Sequence, residues 1–174
     1  MHKTVVIICD GEFPKTEYPR YLIRTADFII CCDGALKKFL RHSKGIFGEE
    51  RLPDLVIGDM DSLSTSLKKK YGELILQVDE QEHNDQTKAV QYLLSRGITR
   101  IAIVGATGKR EDHTIANIAL TAEYMAMGAE VVSYTDSGCF IPCRDNKRLQ
   151  CTPNAQVSIF NINATALRSE GLDY

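Results

Sequence analysis

The sequence predicts an α/β protein built on an open, mostly parallel Rossmann-like sheet with helices on both faces. Three observations predict it. Short apolar runs alternate with segments of helical spacing, each run is followed closely by an acid or a glycine, and Gly97 and Gly128 stand where helices want left-handed caps. The runs come in order. Residues 5–9 and 28–32 are unbroken apolar stretches, as strands buried on both faces require, and they lead into Asp10-Gly11 and Asp33-Gly34. Run 55–57 leads into Gly58-Asp59, run 74–78 into Asp79, run 101–104 into Gly105, and run 131–134 stops just before Asp136. Between them, Tyr21-Leu22 with Ala26 and Leu36 with Phe39-Leu40 have helical spacing. So do Ala89-Val90 with Leu93-Leu94, ending at Gly97, and residues 115–127, ending at Gly128. Ligands of such sheets bind outside the carboxyl ends of the strands, so the conspicuous acids are expected on one rim.

Composition bounds the function. The 174 residues suffice for one good core and a small appendage. A 44% hydrophobic and 25% charged content is ordinary for a globular protein, and a net charge of −2 argues against a general nucleic-acid binder. No apolar run approaches the ~20 residues that span a bilayer. The start, Met1-His2-Lys3-Thr4, lacks the long apolar region of a signal peptide, so a cytoplasmic location is expected. Six cysteines without an oxidising compartment or paired ligand spacing read as structural. Cys9, Cys31 and Cys32 lie in strand-like runs, where free cysteine behaves as a small hydrophobe.

Three segments carry chemistry. In the first, Asp59 and Asp61 follow the run 55–57 within Gly58-Asp59-Met60-Asp61-Ser62. Carboxylates one residue apart on an extended chain project to the same side and repel. A hard cation such as Mg2+, held by one or two carboxylates plus substrate phosphates, compensates them; a solvated acidic loop is the plainer alternative. The second segment runs from Asp79 to Lys88 between a strand and a helix. Asn84 or Asp85 caps that helix, but a cap does not explain why Glu80, Glu82 and Asp85 crowd one loop. Gln81 adds an amide able to orient a polar ring or hydroxyl. The third segment, Gly105-Ala106-Thr107-Gly108-Lys109-Arg110-Glu111-Asp112-His113, fails as a P-loop: its glycine gap is short, and Arg110 follows Lys109 where Ser or Thr belongs. It remains a glycine-bearing loop entering a helix whose amide-rich start favours anions. Arg110 suits a polyphosphate gripped in bidentate fashion. Asp112 reads as a cap or a ligand organiser, and His113 as a first-turn residue beside it.

Taken in order, Asp33-Gly34, Asp54 with Gly58-Asp59-Met60-Asp61-Ser62, Gln81 with Asp85, and Gly108-x-Arg110-x-Asp112-His113 with Asn117 resemble the thiamine pyrophosphokinase family. The terminal Ser169-Glu170-Gly171-Leu172-Asp173-Tyr174 is similar to that family's Gly-Leu-Lys-aromatic segment. The resemblance implies a Mg2+-dependent transfer of diphosphate from ATP to the thiamine hydroxyl, giving thiamine diphosphate and AMP. It implies an α/β nucleotide domain, residues 1–136, and the start of a β-sandwich domain, residues 137–174, in a homodimer with thiamine at the subunit interface. It implies metal binding by Asp59, Asp61 and Asp85, with Asp112 among the catalytic acids. ATP then meets Asp33, Gly34, Gly108, Arg110, Asp112 and His113, and thiamine meets Asp61, Gln81, Ser169 and Tyr174.

The chain departs from the family pattern where Lys109 replaces a glycine, Asn84 a threonine and Ala35 a glycine. Residues 139–174 hold about two expected strands, one at 155–162, and the family continues with further strands; missing residues or a partner subunit would complete the domain. Two other classes remain open: a nucleotide- or thiamine-binding sensor without turnover, and a Mg-dependent nucleotide phosphohydrolase. The number of retained acids argues against the sensor.

Overall fold

The computed structural model describes residues 4–172. Its packing divides the chain into two units, Met1–Cys143 and Arg144–Tyr174. The first is a seven-stranded sheet in the order β4-β3-β2-β1-β5-β6-β7. Strands β1 (Val5–Ile8), β2 (Phe28–Cys32), β3 (Leu55–Gly58), β4 (Ile75–Gln77), β5 (Arg100–Val104) and β6 (Glu130–Tyr134) are parallel, and β7 (Cys139–Phe140) pairs antiparallel with β6. Every expected strand of this sheet is present within a residue or two of its run. The connecting helices are α1 (Glu17–Arg24), α2 (Ala35–Phe47), α3 (Thr65–Lys70), α4 (Asp85–Leu94) and α5 (Glu111–Ala126).

Alternation along the central strand builds a core on each face. Val5 and Ile7 of β1 pack with Ala89, Val90 and Leu93 of α4 and Tyr124 of α5. Val6 and Ile8 join Ile23 of α1 and Leu36, Phe39 and Ile46 of α2. Both sets are nearly or fully buried, which is why β1 needs an unbroken apolar run. Truncating Phe39 alone would cost about 3–5 kcal/mol. Two helices end as the glycines foretold. Ile98 N–H donates to Leu93 O (3.0 Å) and Gly97 N–H to Leu94 O (2.9 Å), while Ala129 N–H donates to Tyr124 O (2.9 Å) and Gly128 N–H to Met125 O (3.1 Å). Both are Schellman closures, with φ of 70° at Gly97 and 94° at Gly128.

The chain winds outward from β1 through β4, then returns to place β5 on the other side of β1. The switch point of the sheet therefore lies between β1 and β5, where the helices leave to opposite faces and open a crevice.

Two features differ from expectation. Helix α3 has no apolar stripe and buries no residue, so its sequence gives no period to detect. Its start comes from Ser64, whose hydroxyl accepts the Leu67 N–H at 3.4 Å. In the second unit, residues 155–162 do not form the expected strand. A strand needs a ladder partner for its N–H and C=O groups, and the described residues of that unit contain no strand. Its order is local instead: Asn161 clasps Ala164 through both main-chain groups at 2.6 and 3.1 Å. Val157, Ile159, Phe160 and Ile162 are exposed.

Candidate functional site

A cleft of about 460 Å³ opens at the switch point. Its walls come from the ends of four strands: Cys9-Asp10-Gly11 after β1, Cys32-Asp33-Gly34 after β2, Asp59 and Ser62 after β3, and the loop from Ala106 to Arg110 after β5. The loop 81–86 and the first turns of α4 and α5 complete it.

One wall is acidic. Asp33 stands directly after β2 with a left-handed φ of 34°, a conformation kept only where the surroundings enforce it. Its N–H donates to Ile57 O at 2.9 Å, and its Oδ2 accepts the Ser62 N–H at 2.9 Å. Its other carboxylate oxygen, Oδ1, is buried and has no hydrogen-bond partner among the described residues. Asp59 accepts the Asp61 N–H on Oδ1 at 3.0 Å. Asp85 enters on the first turn of α4, which Asn84 caps by accepting the Thr87 N–H at 2.9 Å. Gly58 allows the close approach of that acid: a Cβ there would lie 2.9 Å from the Asp85 carboxylate. Burial pushes the Asp85 carboxyl up to about 6, the buried Lys88 ammonium 3.6 Å away opposes the shift, and the Asp59 and Asp33 charges add to it. Asp85 therefore feels both neighbouring acids, and the wall carries more negative charge than the Lys88 ammonium compensates.

The opposite wall is cationic and paired. Lys109 Nζ lies 2.7 Å from Asp10 Oδ2, and Lys38 Nζ lies 2.9 Å from Asp10 Oδ1. Lys38 also donates to the Asp10 carbonyl at 2.7 Å and to the Gly11 carbonyl, fixing the turn after β1. Burial pushes the Asp10 carboxyl up, but the hydrogen bonds from Lys109 and Lys38 outweigh it and hold it below the ordinary range. Arg110 spans Asp112 with two contacts, 2.5 Å from Nη2 and 3.1 Å from Nε, both side chains lying in solvent.

Beneath the cleft, buried polar groups lock α4 to α5. Gln86 Nε2 donates to Asn117 O (3.1 Å) and Tyr124 OH (3.3 Å), and Thr87 Oγ1 pairs with Tyr124 OH at 2.7 Å. Asn117 Nδ2 in turn holds the Ala106 carbonyl at 2.8 Å. The turn carrying Asp85 is thus fixed against the loop after β5.

Of the expected site residues, Asp33, Gly34, Asp59, Gln81, Asp85, Arg110 and His113 line this cleft. Asp61 does not. The expectation that Asp59 and Asp61 share a side assumed extended backbone, but Met60 has a φ of 67°, and this left-handed residue turns Asp61 out to an exposed position. Asp112 is neither cap nor lining: α5 begins at Glu111, and Asp112 sits in its first turn, paired with Arg110. Gly108 lies outside the lining with a φ of 84°, and a Cβ there would lie 2.7 Å from Glu12 Cβ. Ser169 is exposed in the second unit, and Tyr174 falls outside the described residues. Among the described residues, no three His, Cys, Asp or Glu side chains are gathered as a ready metal site. Sequence reasoning missed Asp10 and Lys88, which line the cleft, and Lys38, which holds Asp10 from outside the lining. The signal for Asp10 was present, since it follows its strand as Asp33 follows the next.

Fold and cleft define a doubly wound α/β protein whose switch-point crevice sets an acidic wall against a cationic one, the arrangement expected for a phosphate-bearing ligand. Comparisons with known proteins agree. Residues 19–133 match the family model for the thiamin pyrophosphokinase catalytic domain, and residues 138–174 that for the thiamin pyrophosphokinase substrate-binding domain. The chain belongs to the thiamin pyrophosphokinase family. It is 26% identical over 145 residues to thiamine pyrophosphokinase 2 of Oryza sativa subsp. japonica, covering 71% of this chain and 53% of that protein. Among solved structures it is similar to a thiamin pyrophosphokinase family protein from Enterococcus faecalis, with a TM-score of 0.58 and 25% identity over 76% of this chain and 61% of that one. Yeast thiamin pyrophosphokinase shares the fold, with a TM-score of 0.57 and 18% identity over 78% of this chain and 59% of that one. The chain thus spans about half the length of the curated relative and about three-fifths of these structures.

Proposed function

We propose that this chain provides the nucleotide and metal half of a Mg2+-dependent thiamine diphosphokinase, which transfers diphosphate from ATP to the thiamine hydroxyl and releases AMP. The observation that carries the reading is the undercompensated acidic wall: three carboxylates, one with an unpartnered buried oxygen and one raised to about 6, beside the switch point. Hard oxygen donors of this kind fit Mg2+. When bound, Mg2+ neutralises phosphate oxygens and stabilises the charge that develops on transfer. Of the ligands that the resemblance implies, Asp59 and Asp85 fit directly, and Asp33 offers the third carboxylate on the same wall. Asp61, turned outward, falls to thiamine together with Gln81 in this reading.

The protein's own contribution is positioning and electrostatics. The buried Gln86–Tyr124–Thr87 contacts hold Asp85 in place, and Lys88 keeps it from repelling its neighbours unopposed. Arg110 and His113, on the cationic side, receive the phosphate chain, with Gly34 giving the backbone room, the left-handed Gly108 shaping the turn before Arg110, and Asp112 orienting Arg110. We assign residues 1–136 to nucleotide and metal, and residues 137–174 to the start of the thiamine-binding and dimerisation part. Ser169 and Tyr174 would approach thiamine from that part in a cytoplasmic homodimer.

The test is the chain with Mg2+, ATP and thiamine, following AMP and thiamine diphosphate together. Matched appearance of both is expected. ADP or phosphate without thiamine diphosphate would move the reading to a nucleotide phosphohydrolase, and tight binding without product to a sensor.

A further inference from the structure

Three charged groups on the cationic wall are arranged in an asymmetric way. Asp10 is shared by two ammonium groups, but these are held differently. Lys38 is three-quarters buried and donates to the Asp10 and Gly11 carbonyls as well as to the carboxylate. Lys109 is 55% exposed and donates to Asp10 Oδ2 at 2.7 Å, with no main-chain contact of the kind that seats Lys38 among the described residues. Both Asp10 and Lys109 line the cleft, so this exposed ion pair bridges the loops after β1 and β5 across the switch point itself. An exposed pair of this kind contributes little to stability and exchanges readily for a better anion. The carboxylate also packs against Gly34, where a Cβ would lie 2.9 Å from Oδ2, so it is seated by the backbone around it.

Resting on the functional reading above, we propose that Lys109 hands over from Asp10 to the phosphate chain of the incoming nucleotide, Asp10 acting as a built-in competing anion and Lys38 staying as its anchor. The hand-over leaves Asp10 with one cation and gives the polyanion a second contact beside Arg110. Lys109 thereby becomes an affinity determinant for the phosphate chain and not for the base, and Asp10 lowers that affinity in the resting protein.

Binding of inorganic tripolyphosphate and, separately, of adenosine to the full chain tests this by titration calorimetry. Asp10→Asn keeps the size of the side chain and removes the competing charge, so tripolyphosphate should bind about two- to fivefold tighter. Lys109→Met should bind it about tenfold more weakly and with a shallower dependence on salt. The double variant should lose the gain of Asp10→Asn, and adenosine affinity should stay unchanged in all three. Unchanged or weaker tripolyphosphate binding by Asp10→Asn, at an unchanged thermal midpoint, overturns the hand-over. So does wild-type affinity in Lys109→Met, or no tripolyphosphate binding by the wild-type chain. Should Asp10→Asn prove unfolded, Asp10→Glu replaces it and is expected to bind no tighter than wild type; tighter binding overturns the proposal. Turnover of ATP and thiamine by the same preparation decides the functional reading separately.

Discussion

The two walls of the cleft carry opposite charge and are maintained in opposite states. On the wall after β2 and β3, Asp85 faces the charges of Asp59 and Asp33 with the buried Lys88 ammonium 3.6 Å away, and its carboxyl is pushed up to about 6. On the wall after β1 and β5, Asp10 has two ammonium partners within 2.9 Å and sits below its ordinary range. The difference teaches where outside charge belongs. A folded chain tolerates undercompensated acids at a cost, and does so where a ligand offsets that cost. Where pairing is already complete, a ligand must instead displace a partner.

The contrast breaks first at Asp85. Asp85→Asn and Asp59→Asn should each lower the rate of thiamine diphosphate formation by about a thousandfold, because each would remove a carboxylate that the bound cation needs on the proposed reading. Steady-state kinetics at saturating Mg2+ would show this, and a loss under tenfold in both would remove the acidic wall from the chemistry. Next comes Gly58→Ala. The added Cβ would meet the Asp85 carboxylate at 2.9 Å on backbone with a φ of 152°, so the acid must move. A fall in turnover of about a hundredfold is expected, with only a modest loss of thermal midpoint, since displacing a reacting group by about 1 Å is enough. Asp61→Asn sharpens the comparison further. Its carboxylate is turned out of the cleft by Met60, so the loss should stay within about tenfold. A loss equal to that of Asp85→Asn would show that the turn at Met60 rearranges when substrates bind.

Much of this was legible in the sequence, and the boundary has a physical basis. The sheet was legible because strands buried on both faces leave unbroken apolar runs, and because Gly97 and Gly128 mark helix ends that only left-handed residues close. The acidic wall was legible at Asp33, Asp59 and Asp85, which sit just beyond strands or at a helix start. Asp61 was misplaced because one residue's backbone sign decides which way the next side chain points, and Met60 gives no composition signal for a left-handed φ. Lys38 and Lys88 escaped because a lysine on a helix reads as a solvated face, and only tertiary packing shows Lys88 to be buried. Strand 155–162 was overread because alternation describes a surface that wants a partner, not one that has it.

The smallest effect concerns proton linkage on the acidic wall. Asp85 has a folded value of about 6 against 3.8 for the unconstrained group, so between those values the folded chain keeps a proton that the unfolded chain has lost. Stability then falls as pH rises through that window, and the full penalty is present above about 6. Carboxyls held low, such as Asp10 and Asp136, act in the opposite sense, so the total pH curve does not isolate the effect. The difference between wild type and Asp85→Asn does. The amide resembles the protonated acid and leaves Lys88 its bond to Val78 O at 3.0 Å. Without Mg2+, the variant should gain on wild type from pH 4 to pH 7, by on the order of 1 kcal/mol after allowance for partial exposure. Denaturant melts at both pH values measure it. Adding Mg2+ at pH 7 should then raise the wild-type midpoint and close the gap, because a cation favours the ionised acid and the amide has no charge to offer. A gap that does not widen with pH would mean that Asp85 is not held against its own charge, and the two walls would no longer differ in kind.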